Sequence, residues 1–258
     1  MSKLDDAKSV AESYLDEVYA TIEIRQTYNS IVVGMNGALM ASYKGDKYSQ
    51  GILKDALRHK GTDPGAFYRP LIVQTHGVFE NYIRSVVKAV VEDKFETVAL
   101  YKNLQEGFRK EHITHAAKVL VHWKEGNILG LPYTFEALLH NLGVGLSGAN
   151  GYKLNPEIFT KFMGNPTPTR LEKLFQSLSL PEPFSDSLGQ NAELKEHFGD
   201  KTKGRVAIRA KEKLEKQIDL RNDIVHGDLT RAVDISELKD TVGFFRALIS
   251  GLNEILQV

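Results

Sequence analysis

The residues with the clearest chemical potential form one short segment near the C-terminus, Arg221-Asn222-Asp223-Ile224-Val225-His226-Gly227. An imidazole titrates near neutral pH and can act as general base or general acid. A guanidinium is planar, permanently charged and suited to phosphate oxygens. Cleavage of RNA would require only these two kinds of group, because RNA supplies its own nucleophile, the 2′-hydroxyl. His226 could therefore move the proton while Arg221 stabilises a pentavalent phosphate, with Asn222, one helical turn earlier, orienting the imidazole.

Spacing alone does not single out this pair. Arg69 and Arg109 are also followed by a histidine after six and five residues, respectively. The residue after Arg69 is a proline and the residue after Arg109 is a lysine. In the third pair a small polar asparagine follows the arginine, and a glycine able to end a helix follows the histidine. This context favours the pair formed by Arg221 and His226.

On a helical wheel, Arg221 falls beside an apolar stripe of Leu214, Ile218 and Val225, which predicts that the stripe is buried. A charge along a packing stripe needs a partner, because burying it uncompensated is costly. Two solutions remain open. One is an ion pair, for example with Glu80 on an earlier helix, and the other is a cleft in which the guanidinium receives a phosphate.

A basic run leads directly into this segment. Its members could be a solvated helix face or a track that contacts RNA phosphates, and both interpretations are retained. The candidate RNA-binding residues are Lys203, Arg205, Arg209, Lys213 and Lys216.

A second histidine-rich helix carries His112, His115 and His122 on one side. Apolar neighbours share that side, and no HExxH spacing is present, so core or rim histidines are favoured over a metal site. Glycines between 143 and 151 follow a helical pattern and not a strand, which favours a plain connection over a nucleotide loop. We expect no metal and no cofactor.

Composition narrows the classes further. The chain has 258 residues, no cysteine, and 33 basic against 33 acidic residues. Disulfides, thiolate metal sites and cysteine nucleophiles are excluded, and no global field draws the protein to nucleic acid. The N-terminus lacks the apolar region of a secretory signal, and no run is long enough to span a membrane. A cytoplasmic location without membrane attachment is therefore expected.

Apolar residues recur at helical spacing along most of the chain, and no sustained alternation predicts a strand, so the fold is predicted to be all-α. Stretches 33–51, 60–65 and 181–189 are expected to be loops. Pro70 is expected in the first turn of the second helix. The predicted helices cover residues 4–28, 70–95, 102–124, 133–142, 156–163, 169–180, 204–226 and 235–256.

The last two predicted helices should pack as an antiparallel pair within a helical bundle, with Gly227 ending the first and Asp234 or Ser236 capping the second. The domain prediction is a single helical unit over residues 1–258. Within it, residues 1–65 form a possible N-terminal helical extension and residues 66–258 form the main part.

The segment on the penultimate helix resembles the R-x4-6-H motif of the HEPN superfamily, with Arg221, Asn222 and His226 matching its arginine, the polar residue that commonly follows, and its histidine. The second helix resembles the early helix of RNA-cleaving HEPN subfamilies, in which an acidic residue, here Glu80, faces the motif. Asp223 is a further supporting candidate. The resemblance covers residues 70–95 and 168–256.

This resemblance implies a metal-independent endoribonuclease that acts as a homodimer and leaves 2′,3′-cyclic phosphate ends. The settings it implies are defence, toxin-antitoxin systems or RNA processing, with an antitoxin or effector protein as a possible partner. Some members do not cleave RNA and serve as scaffolds or nucleotide-binding partners, so a non-catalytic helical interaction module is the alternative.

Overall fold

The computed structural model describes residues 2–34, 65–125, 130–227 and 233–257, with side chains described only up to residue 27 in the first range. Within these ranges every regular element is helical. Short 3₁₀ turns occur at Tyr101–Asn103 and Leu188–Gln190. The α-helices are α1 (Lys3–Gly34), α2 (Gly65–Thr97), α3 (Glu106–Lys124), α4 (Phe135–Ser147), α5 (Glu157–Thr160), α6 (Pro168–Ser177), α7 (Ala192–Phe198), α8 (Lys203–Val225) and α9 (Ile235–Leu256).

The all-α prediction is confirmed, and the differences lie mainly at helix ends. The expected loops at 33–51 and 60–65 fall outside the described residues, except that α1 runs through Gly34 and α2 begins at Gly65. The short α7 was not predicted. Two of the glycines expected in a connection, Gly143 and Gly145, instead lie within α4, which ends at Gly148 in the left-handed conformation that glycine tolerates.

Helix α1 begins with a reciprocal capping box. The Asp5 amide donates to Ser2 Oγ at 3.1 Å, and the Ser2 amide donates to Asp5 Oδ2 at 3.2 Å. Residues repeating at three- and four-residue steps pack against α2 and α9. They are Ala7, Ala11, Leu15, Val18 and Ile22. These side chains belong to the same hydrophobic cluster as the rest of the protein, so α1 is part of the main core.

Helix α2 starts five residues earlier than expected, so Pro70 lies inside it and not in its first turn. Pro70 is the sixth residue of α2, beyond the first four amides that have no intrahelical partner, so one backbone hydrogen bond of the helix is lost there. The loss is therefore confined to the start of the helix. Beyond it, a broad apolar face that includes Phe79, Tyr82 and Ile83 is fully buried.

The last two helices run antiparallel, as predicted. Lys213, midway along α8, pairs with Asp240 of α9, while Asp223 near the end of α8 shares a groove with Asp234 just before α9. Position along one helix therefore rises as position along the other falls. Asp234 caps α9 by accepting a hydrogen bond from the Glu237 amide at 2.8 Å.

The apolar stripe of α8 is only partly buried. Ile218 and Leu214 lie in the core, whereas Val225 is 48% exposed, so the prediction that Val225 is buried was wrong. Its angular position is the same as that of its buried neighbours. Val225 lies in the last turn of α8, and wheel position alone did not decide its burial.

The start of α8 is held by an unusually close contact with Gly189. A Cβ atom added there would lie 1.8 Å from the carbonyl oxygen of Lys203. We expect Gly189→Ala to lower the free energy of unfolding by about 3 kcal/mol or more, because backbone must move. Chemical denaturation measures this. Gly143→Ala, with no atom within 4 Å of the new Cβ, should instead gain about 0.5–1 kcal/mol from helix propensity. Equal effects of both changes would contradict this packing.

Candidate active site at the end of the penultimate helix

Helix α8 ends where the sequence predicts. The His226 amide donates to the Asn222 carbonyl at 2.8 Å, and Gly227 follows with a φ of 89°. A positive φ is easily adopted by glycine, so the chain leaves the helix here. His226 is thereby the C-terminal cap residue of α8. Its imidazole is exposed and has no hydrogen-bond partner among the described residues.

Arg221 lies on the packing side of α8 and is half-buried. Its Nη1 donates to Asn222 Oδ1 at 3.3 Å, while its Nε is buried without a hydrogen-bond partner in the described part of the chain. No carboxylate within those residues pairs with it, so the ion pair with Glu80 is not formed. Glu80 itself is half-buried on α2. The described residues therefore leave part of the hydrogen-bonding capacity of Arg221 unused, and phosphate binding by this guanidinium stays a prediction.

Asn222 does not contact the imidazole through its side chain. Its Oδ1 accepts one hydrogen bond from Arg221 and another from Asn165 Nδ2 at 2.8 Å. The side chain therefore positions the guanidinium, and its link to His226 is through the backbone. Asn165 was not identified from the sequence, because it lies 57 residues away in the turn between α5 and α6. Its only sequence signal is a turn-forming run with Gly164 and Pro166.

The guanidinium also faces a buried histidine on α2. His76 is 3% exposed, packs edge-on against Phe245 with ring centroids 4.8 Å apart, and has no partner for Nε2 among the described residues. Burial and, to a smaller extent, the positive charge of Arg221 lower the pKa of His76 to about 4, while hydrogen bonds with Gln217 act the other way. His76 is therefore neutral at pH 7, and Arg221 lies near a side chain that carries no charge.

This depressed pKa predicts an acid-sensitive fold. The unfolded histidine binds its proton near pH 6.5, so the stability contributed by neutral His76 is complete above that pH and is lost as pH falls towards 4. Between pH 7 and pH 5 its share of the unfolding free energy should fall by about 2 kcal/mol. His112, with a pKa also lowered to about 4 by burial, should contribute similarly.

Urea denaturation at the two pH values measures this loss. His76→Gln should remove roughly its own share of the pH dependence. The exposed His140→Gln is the matched control and should leave the dependence unchanged. An identical pH dependence in both variants would show that His76 is not buried as a neutral group.

The basic run is largely paired with protein groups. Most residues of the basic run lie on a different side of α8 from Arg221, because each residue along a helix is rotated by about 100° from the one before. Lys216 is exposed and has no carboxylate partner in the described part of the chain. The others contact Asp186 (Lys203, 3.1 Å), Asp200 (Arg205, 3.2 Å), the Phe198 carbonyl (Arg209, 2.8 Å) and Asp240 (Lys213). Exposed ion pairs are weak, so contact with RNA phosphates stays a prediction.

Asp223 is exposed and faces away from Arg221. It lines a groove between α8 and α9 in which carboxylates outnumber ammonium groups. The carboxylates are Asp219, Asp223, Asp234, Glu237 and Asp240, against Lys213 and Lys216. Two acidic candidates of the sequence, Asp223 and Glu80, are thus not brought together with Arg221 by any described contact.

The three histidines of α3 pack against aromatic rings. His112 is buried, with Nδ1 3.0 Å from the Tyr101 hydroxyl, while His115 lies against Phe159 and His122 against Phe162. In the ranges that the structure describes, no group of three or more His, Asp or Glu residues is placed to hold a metal ion. Likewise, no helix there is long and apolar enough to cross a membrane.

The fold is all-α, and a half-buried arginine and an exposed histidine lie at the end of the penultimate helix. Both features agree with the class of protein that the motif predicts. Comparison with protein families gives a match to the RiboL-PSP-HEPN model, HEPN_RiboL-PSP, over residues 49–258. The chain belongs to this HEPN family. The match includes residues 96–165, which no sequence motif covered, and begins after α1. No curated protein and no solved structure matches the chain.

Proposed function

We propose that this HEPN-family protein is an endoribonuclease in which Arg221 and His226 perform metal-independent cleavage. The observation that carries the proposal is that a positioned arginine and an exposed histidine lie together at one helix end. Arg221 is held by Asn222 with unused donor capacity, while five residues later the His226 imidazole is exposed without a partner in the described residues. A held cation and an accessible proton-transfer group are the two functions that RNA self-cleavage requires.

In the proposed reaction the 2′-oxygen attacks the adjacent phosphorus and the bond from phosphorus to the 5′-oxygen breaks. His226 takes the proton from the 2′-hydroxyl and delivers a proton to the departing 5′-oxygen. Arg221 donates hydrogen bonds to the non-bridging oxygens as negative charge accumulates on them. Asn222 and Asn165 keep the guanidinium in place. The products are a 2′,3′-cyclic phosphate and a 5′-hydroxyl.

Incubation of purified protein with single-stranded RNA in EDTA tests the proposal. Cleavage should persist, and mass spectrometry should find 2′,3′-cyclic phosphate ends. Cleavage that disappears with EDTA and returns with magnesium would assign a metal-dependent nuclease instead.

The alternative is a non-catalytic helical module. Its specific support is that Arg221 lies between α2 and α8, beside His76, where a guanidinium can have a purely structural role. If this alternative is correct, the folded protein will not cleave RNA either in EDTA or with added metal ions. A defence, toxin-antitoxin or RNA-processing role, and an antitoxin or effector partner, remain proposals attached to the nuclease function.

We further propose a two-fold homodimer in which the ends of α8 face each other. Five residues along a helix rise about 7.5 Å, so a second copy would bring an Arg221 and a His226 from opposite chains together. Val225, adjacent to His226 and 48% exposed, supplies an apolar contact on that surface.

Val225→Glu should therefore convert a dimer into a monomer, because two carboxylates would meet at the two-fold axis. Light scattering measures the mass directly. Ile208→Glu is the matched control, since Ile208 is 59% exposed on the same helix but far from its end, and it should stay dimeric. A wild-type protein that is monomeric at all concentrations would contradict the dimer.

A further inference from the structure

A pocket of about 280 Å³ lies beside the motif. Helix α3 provides one wall with His115 and Lys118, and the stretch after α5 provides Phe162. Helix α6 closes the pocket with Arg170 and Lys173. From the sequence, His115 was considered as a metal ligand, and the other side chains were not considered as binding residues.

The pocket carries an excess of positive charge. Lys118, Arg170 and Lys173 are all exposed, and within the described residues none pairs with a carboxylate. The lining also contains one acidic side chain, Glu111, so three cations face a single carboxylate. This differs from the basic run on α8, where carboxylates offset most of the cations. Three cations around one cavity favour an anion with several oxygens, such as a phosphodiester.

Aromatic rings form the apolar part of the same pocket. The Phe162 ring lies under Lys118 Nζ at 4.7 Å and beside His122 at 4.7 Å between centroids. The His115 ring lies 5.2 Å from that of Phe159, and burial lowers the pKa of His115, which keeps the ring neutral at pH 7. Cations combined with planar rings are the means by which proteins hold single-stranded nucleic acid, through phosphate contact and base stacking.

Asn165 connects this pocket to Arg221. Arg170 Nη1 donates to the Asn165 carbonyl at 3.2 Å, and the Asn165 amide donates to Asn222 Oδ1, which also accepts from Arg221. The pocket and the motif therefore lie on either side of one residue. A ligand that draws Arg170 towards itself acts on the same turn that holds Asn222.

We propose that this pocket is a subsite for a nucleotide of the RNA strand next to the cleaved bond. Lys118, Arg170 and Lys173 bind its phosphate, and the base lies against Phe162. This inference rests on the proposed ribonuclease function and adds to it the substrate class, a single strand whose base is free to stack. A base paired in a duplex cannot enter the pocket, so single-stranded RNA is bound in preference to double-stranded RNA.

Binding of wild-type protein to a short fluorescein-labelled 2′-O-methyl oligonucleotide tests the subsite, because this probe has no free 2′-hydroxyl and stays intact. In fluorescence anisotropy, Lys118→Ala combined with Lys173→Ala should raise Kd about tenfold. The slope of log Kd against log salt should fall by about 0.7 for each phosphate contact removed. Phe162→Ala should raise Kd by roughly tenfold through lost stacking, and Phe162→Tyr should restore it.

The matched control is Lys102→Ala combined with Lys153→Ala, which removes the same charge from exposed lysines outside this pocket. It should leave both Kd and the salt slope near wild type. Equal effects of the two lysine pairs would overturn the subsite and indicate nonspecific attraction. Because the probe cannot be cleaved, failure of the nuclease function appears as intact natural RNA with specific probe binding retained.

A competition arm separates the two sources of a nucleotide phosphate. Adenosine monophosphate should displace the probe only at far higher concentration than an unlabelled 2′-O-methyl oligonucleotide, since one phosphate contributes only part of the contact. Displacement by the free nucleotide at equal concentration would overturn the assignment to RNA and make the pocket a site for a small nucleotide.

Discussion

His226→Ala is expected to reduce RNA cleavage by about 100- to 10,000-fold while the protein keeps its melting temperature. The loss is large because His226 is the only exposed imidazole at the end of α8 within the described residues. Stability should be unaffected because the imidazole is exposed and has no described partner, and its backbone amide keeps its hydrogen bond to Asn222. Single-turnover cleavage of labelled RNA measures the first effect, and thermal unfolding the second.

His140→Ala is the matched control, since this histidine is also exposed and lies on α4 outside the motif. Its cleavage rate should equal that of the wild type. Full activity in His226→Ala would remove the proposed role of this imidazole. Activity lost equally in both variants would point to a contaminating nuclease or to a general effect on folding.

Arg221→Ala is expected to reduce cleavage by about 100- to 1,000-fold, the scale on which removal of one donor to a transition-state oxyanion acts. Arg221→Lys should recover only part of this loss. The lysine ammonium keeps the charge but cannot present two parallel donors. It therefore cannot bind a phosphate and also keep the hydrogen bond to Asn222 Oδ1. The effect should fall on kcat more than on KM, because the charge on the phosphate increases only in the transition state.

The same change has a second, independent readout. Removing the positive charge beside His76 should raise the pKa of that buried histidine, so acid destabilisation between pH 7 and pH 5 should weaken. Arg109→Ala is the matched control. Arg109 is likewise half-buried with an unpartnered Nε within the described residues, and a histidine follows it after five residues. It should retain cleavage; a comparable loss there would mean that half-buried arginines matter only for folding.

Helical periodicity placed most of the elements correctly, and cap residues located the helix ends at which they occur. The reciprocal contacts of Ser2 with Asp5, the cap at Asp234 and the glycine after His226 are all local, so residues within one turn of each other decide them. For the same reason, the position of Arg221 on the packing side of α8 was available from the spacing of Leu214 and Ile218. These features depend on the chain over only a few residues.

The residues that contact the motif could not be predicted from local sequence patterns. Asn165 and His76 contact the segment from positions far away in the chain, and nothing in their own neighbourhoods marks them for that role. Packing also decided that Val225 is exposed although its wheel position matches buried residues, and that Asn222 turns towards Arg221 and not towards His226. Sequence alone identified the candidate site residues, because side-chain type and helical period are local properties. Tertiary structure alone decided what surrounds each of them, since burial and hydrogen bonding depend on which distant helices arrive at the same place.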